Sequence, residues 1–240
     1  MHNLKIYCMC LDNNYLEVVK KLNYIPVGLK NENFSSEWMR DNTKINISKK
    51  NPYYGEYTFY YWYWKNLLKE KKNNEWVGFC SYRELWGNKN NSKNKNLNSI
   101  LLQELPNEWE KFDVIIGEPM SLKKTKIIKL IKYGKLALIR NPKDIFRPNH
   151  SIRFHFDMFH GVGNLDKAIN LLPKKDRNDF YKYVRNETSI NQGNMFITKS
   201  EKIIDAYFTE IFSWLKECEK IFGFNFKEYS KIRMYTFLAE

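Results

Sequence analysis

Residues 150–169, HSIRFHFDMFHGVGNLDKAI, bring together His150, His155, Asp157, His160 and Asp166. A carboxylate in such a run can take a proton from a hydroxyl, and an imidazole can carry a proton or bind a metal. His155 and His160 with Asp157 could hold a metal, but their spacing matches no established ligand pattern. Asp166 stands directly before KAINLL and suits a helix N-cap equally well. A second group, Ser81-Tyr82-Arg83-Glu84, follows the apolar run WVGFC. Arg83 there could grip an anion through two parallel hydrogen bonds, or simply pair with Glu84. Asp41 and Asn42 could bond a ligand's hydroxyls or heterocycle, or close a turn. Asn191, Gln192 and Asn194 precede the apolar stretch MFIT; they could hold hydroxyl groups or satisfy backbone at a strand entry. Asn51, Tyr54, Glu56 and Thr58 stand where a helix begins, and the free N–H groups of such an end favour a phosphate.

Strands and helices must position these groups. LKIYCMC (4–10) and NYIPVGLK (23–30) read as strands joined through the helical NNYLEVVKKL. Residues 32–51 are polar and weakly periodic, hence a loop. Pro52 and Gly55-Glu56 open a helix running to about Lys71. Its rings, from Tyr57 to Trp64, are apolar all round and belong in a core. EWVGFCSYREL (75–85) starts as a buried strand and turns polar at Ser81, FDVIIGEP (112–119) reads as another apolar strand, QGNMFITK (192–199) as a last short one, and 151–172 and 200–221 as helices. GNKNNSKNKNLN (87–98) is low in complexity and reads as a mobile surface loop. Strands alternating with helices predict an α/β fold with a mainly parallel sheet flanked by helices, in one domain spanning 1–240. Ligands of such sheets sit at strand carboxyl ends: after Cys10, at Ser81-Tyr82-Arg83, and at Gly117-Glu118.

Composition narrows the partners. Forty Lys and Arg against 27 Asp and Glu leave a net charge of +13, which suits nucleic acid, anionic lipid or phosphorylated small molecules. The scatter of lysines among asparagines also fits a simple compositional bias. No apolar run is long enough to span a membrane, and the start MHNLKIYCMC lacks the features of a signal peptide. Cys8, Cys10, Cys80 and Cys218 show no metal-ligand spacing and read as buried free thiols of a cytoplasmic protein. The stretch KKTKIIKLIKYGK (123–135) sets Ile127, Ile128, Leu130 and Ile131 among lysines. It suits either a peripheral contact with an anionic membrane or a core-facing segment with solvated lysines.

Three blocks carry a resemblance: DNTKINISKKNPYYGEYTFYYWYWKN (41–66), WVGFCSYREL (76–85) and NQGNMFITK…RMYTFLAE (191–240). Together they resemble the glycosyltransferase-like proteins of bacterial capsule and lipopolysaccharide gene clusters. The likeness implies a single GT-A-like domain, a nucleotide-sugar donor, and sugar transfer to a growing surface glycan on a polyprenyl-phosphate carrier. It places the donor at Ser81–Arg83 and at the start of the aromatic helix, with no tightly bound cofactor. Many GT-A enzymes hold a divalent metal through Asp-x-Asp. That motif is absent here, and Arg83 at the corresponding strand end could neutralise the pyrophosphate instead. The family's His followed by Asp-Leu maps onto His160 and Asp166, and Asp166 or Asp157 would take the acceptor's proton. Two departures stand out: Ser81 replaces the family's His, and the family continues with Arg after the position of Glu240. Two other classes fit the charge: a basic nucleic-acid-binding module, and a non-catalytic partner in capsule assembly.

Overall fold

A computed structural model describes residues 3–30, 33–72, 74–87, 101–125, 130, 134–226 and 228–240, side chains of 192, 229 and 230 aside. They divide into two compact units, one of residues 1–117 and 193–210, the other of residues 118–192 and 211–240.

The first unit is built on a six-stranded sheet. Its strands are β1 (Leu4–Cys10), β2 (Ile25–Gly28), β3 (Met39–Arg40), β4 (Trp76–Ser81), β5 (Val114–Ile116) and β6 (Phe196–Thr198), in the order β3-β2-β1-β4-β6-β5. β1 runs parallel to both β2 and β4, and β2 to β3, while β6 lies antiparallel between β4 and β5. The sheet is therefore mainly parallel, as the alternating pattern predicts. Polar residues 32–51 do more than loop: Met39 and Arg40 extend the sheet as β3.

Both faces of the central strands are covered, which is why β1 and β4 read as unbroken apolar runs. One face sets Ile6, Cys8, Cys10 and Cys80 among Trp38, Trp76 and Val19, the last on α1 (Leu16–Lys21). The cysteines are free and buried; a hydrogen bond with Cys8, then burial, raises the Cys10 thiol, and, against the lowering pull of Cys10, Cys80 and burial raise the Cys8 thiol. The other face receives the aromatic helix. That helix is broken where the sequence suggested continuity: Gly55 adopts φ 55° and separates α2 (Asn51–Tyr54) from α3 (Tyr57–Asn66), which ends short of Lys71. The left-handed φ is open to glycine at little cost. Tyr57, Phe59 and Tyr60 have no exposed surface, and Phe79 of β4 meets the rings of Tyr60 and Tyr63 at 5.0 and 5.1 Å. Most of the aromatic stretch is core, so its rings offer no platform for stacking bases.

The second unit is helical: α4 (Lys135–Arg140), α5 (Ile152–His160), α6 (Asn164–Ile169) and α7 (Lys174–Asn186), with a two-stranded ribbon of Met120–Ser121 against Ser189–Ile190. α8 (Glu201–Phe222) contributes its first ten residues to the first unit and the rest to the second; α9 (Met234–Ala239) closes the chain. The helical reading of 151–172 resolves into α5 and α6, parted by Gly161 and Gly163 at φ 101° and 82°. Gly163, not Asp166, is the N-cap of α6. Residues 88–98 of the Asn/Lys-rich stretch and most of 126–133 lie outside the described residues.

Candidate functional site

The direction of chain connection changes between β1 and β4, so the loops leaving their carboxyl ends flank a natural ligand crevice. Met9 pairs with Ser81, and the Tyr82 amide donates to the Met9 carbonyl at 3.1 Å, which locks the two strand ends together. Ser81 then reverses the chain: its Oγ accepts from the Arg83 amide (3.3 Å) and its carbonyl from the Glu84 amide (3.1 Å). The loop after β1 brings Asp12, which caps a short helical turn through the Asn14 amide (2.8 Å), and Tyr15. The Tyr15 and Tyr82 rings lie 4.5 Å apart, and the exposed Arg83 guanidinium sits 5.3 Å from the centre of Tyr82. The crevice thus carries an accessible aromatic pair and a cation. Sequence reading found Ser81, Tyr82 and Arg83 but missed Tyr15, since nothing in the sequence shows two loops meeting.

Arg83 and Glu84 form no ion pair. The Glu84 carboxylate instead abuts Gly193, so closely that a Cβ at that position would collide with it. Gly193 and Asn194 both have positive φ (77° and 50°), and the Tyr60 hydroxyl donates to the Asn194 carbonyl at 3.0 Å. The turn entering β6 is thereby pinned against the end of β4, and the Asn194 Nδ2 is buried without a partner. Asn191 and Gln192 fall in the second unit; Asn191 is half-buried and its Oδ1 has no partner.

The residues expected at the start of the aromatic helix form a buried network. Thr58 Oγ1 donates to Asp41 Oδ2 at 2.6 Å, and Asn51 Nδ2 donates to the Gly55 carbonyl at 2.9 Å and lies 3.1 Å from Thr58 Oγ1. Asp41 has no exposed surface and Asn51 almost none. Burial pushes the Asp41 carboxyl up to about 6, against the opposing pull of the Thr58 hydrogen bond and Arg40. The amides of Thr58, Phe59 and Tyr60 are taken by the carbonyls of Gly55 and Glu56. Tyr54 is buried with the Lys50 ammonium 5.7 Å from its ring, Glu56 is half-buried, and Asn42 is exposed. This network ties β3 to α2 and α3 and so holds the loop preceding the aromatic helix.

In the second unit Asp157 is buried, with Oδ1 accepting from the Gly163 amide (2.9 Å) and Oδ2 from Asn141 Nδ2 (3.1 Å). Asp166 is held by Arg153 (2.7 Å) and by Arg140. His160 is buried between the rings of Phe156 and Phe237. His150 accepts the Thr125 amide on Nε2 (2.9 Å), and burial pushes His155 down to about 4. Both aspartates therefore fasten α4, α5 and α6 to one another. Among the described residues no three His, Cys, Asp or Glu side chains could hold a metal together. The end of β4 offers one carboxylate, Glu84, beside a guanidinium, a donor set that does not fit a divalent cation.

Residues 5–240 match the model of a domain family of unknown function, DUF4422. The chain belongs to that family. No curated protein matches it. Over 99 % of its length this DUF4422 chain is similar in structure to the apo form of WbbM, a bifunctional glycosyltransferase, with a TM-score of 0.64 and 19 % identity. It spans only 40 % of the WbbM chain. The DUF4422 fold is thus GT-A-like, as the sequence blocks imply.

Proposed function

We propose that this DUF4422 chain is, as a single domain built of two units, a glycosyltransferase that takes a sugar from a nucleotide-sugar. The acceptor is a growing bacterial surface glycan, capsular polysaccharide or lipopolysaccharide, carried on polyprenyl phosphate. One observation carries the reading: in a fold like that of a glycosyltransferase, the strand-end crevice holds Tyr15, Tyr82 and Arg83 beside Glu84, a carboxylate with no ion pair among the described residues. The tyrosine pair suits a nucleotide base, and Arg83 suits its pyrophosphate, where it balances the charge that grows as the leaving group departs. In the displacement the acceptor hydroxyl oxygen attacks the anomeric carbon as the bond to the phosphate oxygen breaks. The hydroxyl proton passes to a carboxylate. Glu84 fits that role better than Asp157, whose two oxygens are both engaged, or Asp166, whose Oδ2 is held by two guanidinium groups and whose Oδ1 is shut away from solvent. Asn194, whose Nδ2 has no partner, remains as a donor for sugar hydroxyls. Activity is expected to survive a strong chelator, with Arg83 balancing the pyrophosphate charge in place of a metal ion. The acceptor puts the work at the inner face of the cytoplasmic membrane, and among the described residues no helix is long and apolar enough to cross it.

Thermal melting against a panel of nucleotide-sugars, with and without manganese and with chelator, tests the proposal. A cognate donor at a hundred times its Kd should stabilise by about 2.7 kcal/mol. Arg83→Ala should remove most of that gain. No shift with any nucleotide or nucleotide-sugar would overturn the reading.

A further inference from the structure

The second unit leaves apolar side chains in water where its fold gives them no cover. On α4, Ala137 and Leu138 pack inward against Phe154 and Met158. Leu136 and Ile139 lie on the other side, 67 % and 78 % exposed. The 3-10 turn Pro142–Ile145 follows α4 directly and ends at Phe146, which is 87 % exposed. Large apolar side chains left this open within a dozen residues mark a contact surface rather than chance.

The charge around them is one-sided. From Lys123 to Arg147 the sequence holds seven lysines and two arginines against a single acid, Asp144, a net +8 of the chain's +13. Asp144 is itself buried, with the Ser151 amide and hydroxyl donating to it at 2.7 and 3.0 Å, so it presents nothing to a partner. Lys135 and Lys143 flank the apolar positions and are exposed. Two copies of this face would repel each other, which argues against self-association through it.

We infer that residues 135–147 form a docking face for an anionic lipid bilayer, with Leu136, Ile139 and Phe146 entering the headgroup layer and Lys135 and Lys143 meeting lipid phosphates. This shifts the contact away from the apolar residues of 123–135, of which Leu130 packs against the Phe154 cluster. Apolar insertion combined with basic attraction is how an interfacial segment binds without spanning. The inference rests on the proposed work at the membrane, but it is independent of donor chemistry.

Co-sedimentation of the full chain with phosphatidylcholine vesicles, with and without phosphatidylglycerol, tests it. Binding should require the anionic lipid and weaken with salt. Lys135→Gln and Lys143→Gln should each lower partitioning about fivefold. Phe146→Ser and Ile139→Ser should lower it as well, with melting temperatures unchanged because these side chains are exposed. At matched ionic strength, inorganic phosphate should weaken binding no more than chloride does if a lipid surface is the partner, whereas stronger displacement by phosphate would reduce the face to an anion site and overturn the inference. Equal partition into neutral vesicles, insensitivity to Phe146→Ser, or preferential capture by RNA would overturn it too. Vesicle binding without sugar transfer would retire only the transferase. Transfer to a soluble acceptor without vesicle binding would retire only the docking face.

Discussion

Carboxylates in the two units have opposite fates. In the helical unit Asp157 accepts from Gly163 and Asn141 with both oxygens, Asp166 takes Arg140 and Arg153 on Oδ2 alone, and together they hold three helices in register. In the sheet unit Glu84 lies in the turn after a central strand, with no ion pair among the described residues, pressed against a glycine backbone. The difference separates a carboxylate consumed by local structure from one that the proposed transfer could use. A carboxylate already bonded on both oxygens cannot accept a proton without releasing a partner, whereas one at a strand end can.

Removing a structural carboxylate should give the largest effect. Asp157→Ala leaves the buried Gly163 amide and Asn141 without an acceptor, and should cost about 3 kcal/mol in urea unfolding. If stability is unchanged while transfer is lost, Asp157 belongs with the chemistry and the comparison fails.

Asp41 should make stability depend on pH. Its carboxyl ionises near the ordinary carboxylate value when unfolded and at about 6 when folded. Between those values the unfolded chain has released the proton that the folded chain still holds, so stability falls as pH rises through this window. The loss should approach 3 kcal/mol and level off above the folded value. Asp41→Asn should flatten the slope, and an unchanged slope would assign it to other groups.

Glu84→Gln sharpens the other side of the comparison. It should lower kcat about a hundredfold while leaving the nucleotide-sugar melting shift in place. An undiminished kcat would return the base role to Asp157 or Asp166. The smallest effect is expected from Arg83→Ala on the free protein, under about 0.5 kcal/mol, because the side chain is exposed and forms no ion pair. A larger loss would make Arg83 a structural residue.

Much of the fold was legible in the sequence. β1 spans Leu4–Cys10 as its apolar run suggests, and the four cysteines are buried thiols. The rings of Tyr57 to Tyr63 are largely core. These features follow from local pattern: a strand covered on both faces must be continuously apolar, and a helix with no polar side must be enclosed. The strand-end rule likewise reached Ser81, Tyr82 and Arg83 without coordinates.

What the sequence could not contain is which distant residues meet. Only the folded chain sets β6 antiparallel between β4 and β5, and so brings Gly193 to Glu84. Only it places Tyr15 against Tyr82, and Thr58 beneath Asp41, seventeen residues away. Asp166 reads from its neighbours as a helix cap; Arg140 and Arg153, each on another helix, make it an ion-pair hub. Periodicity reports which face of an element is buried, whereas a carboxylate's role depends on which donors surround it in three dimensions.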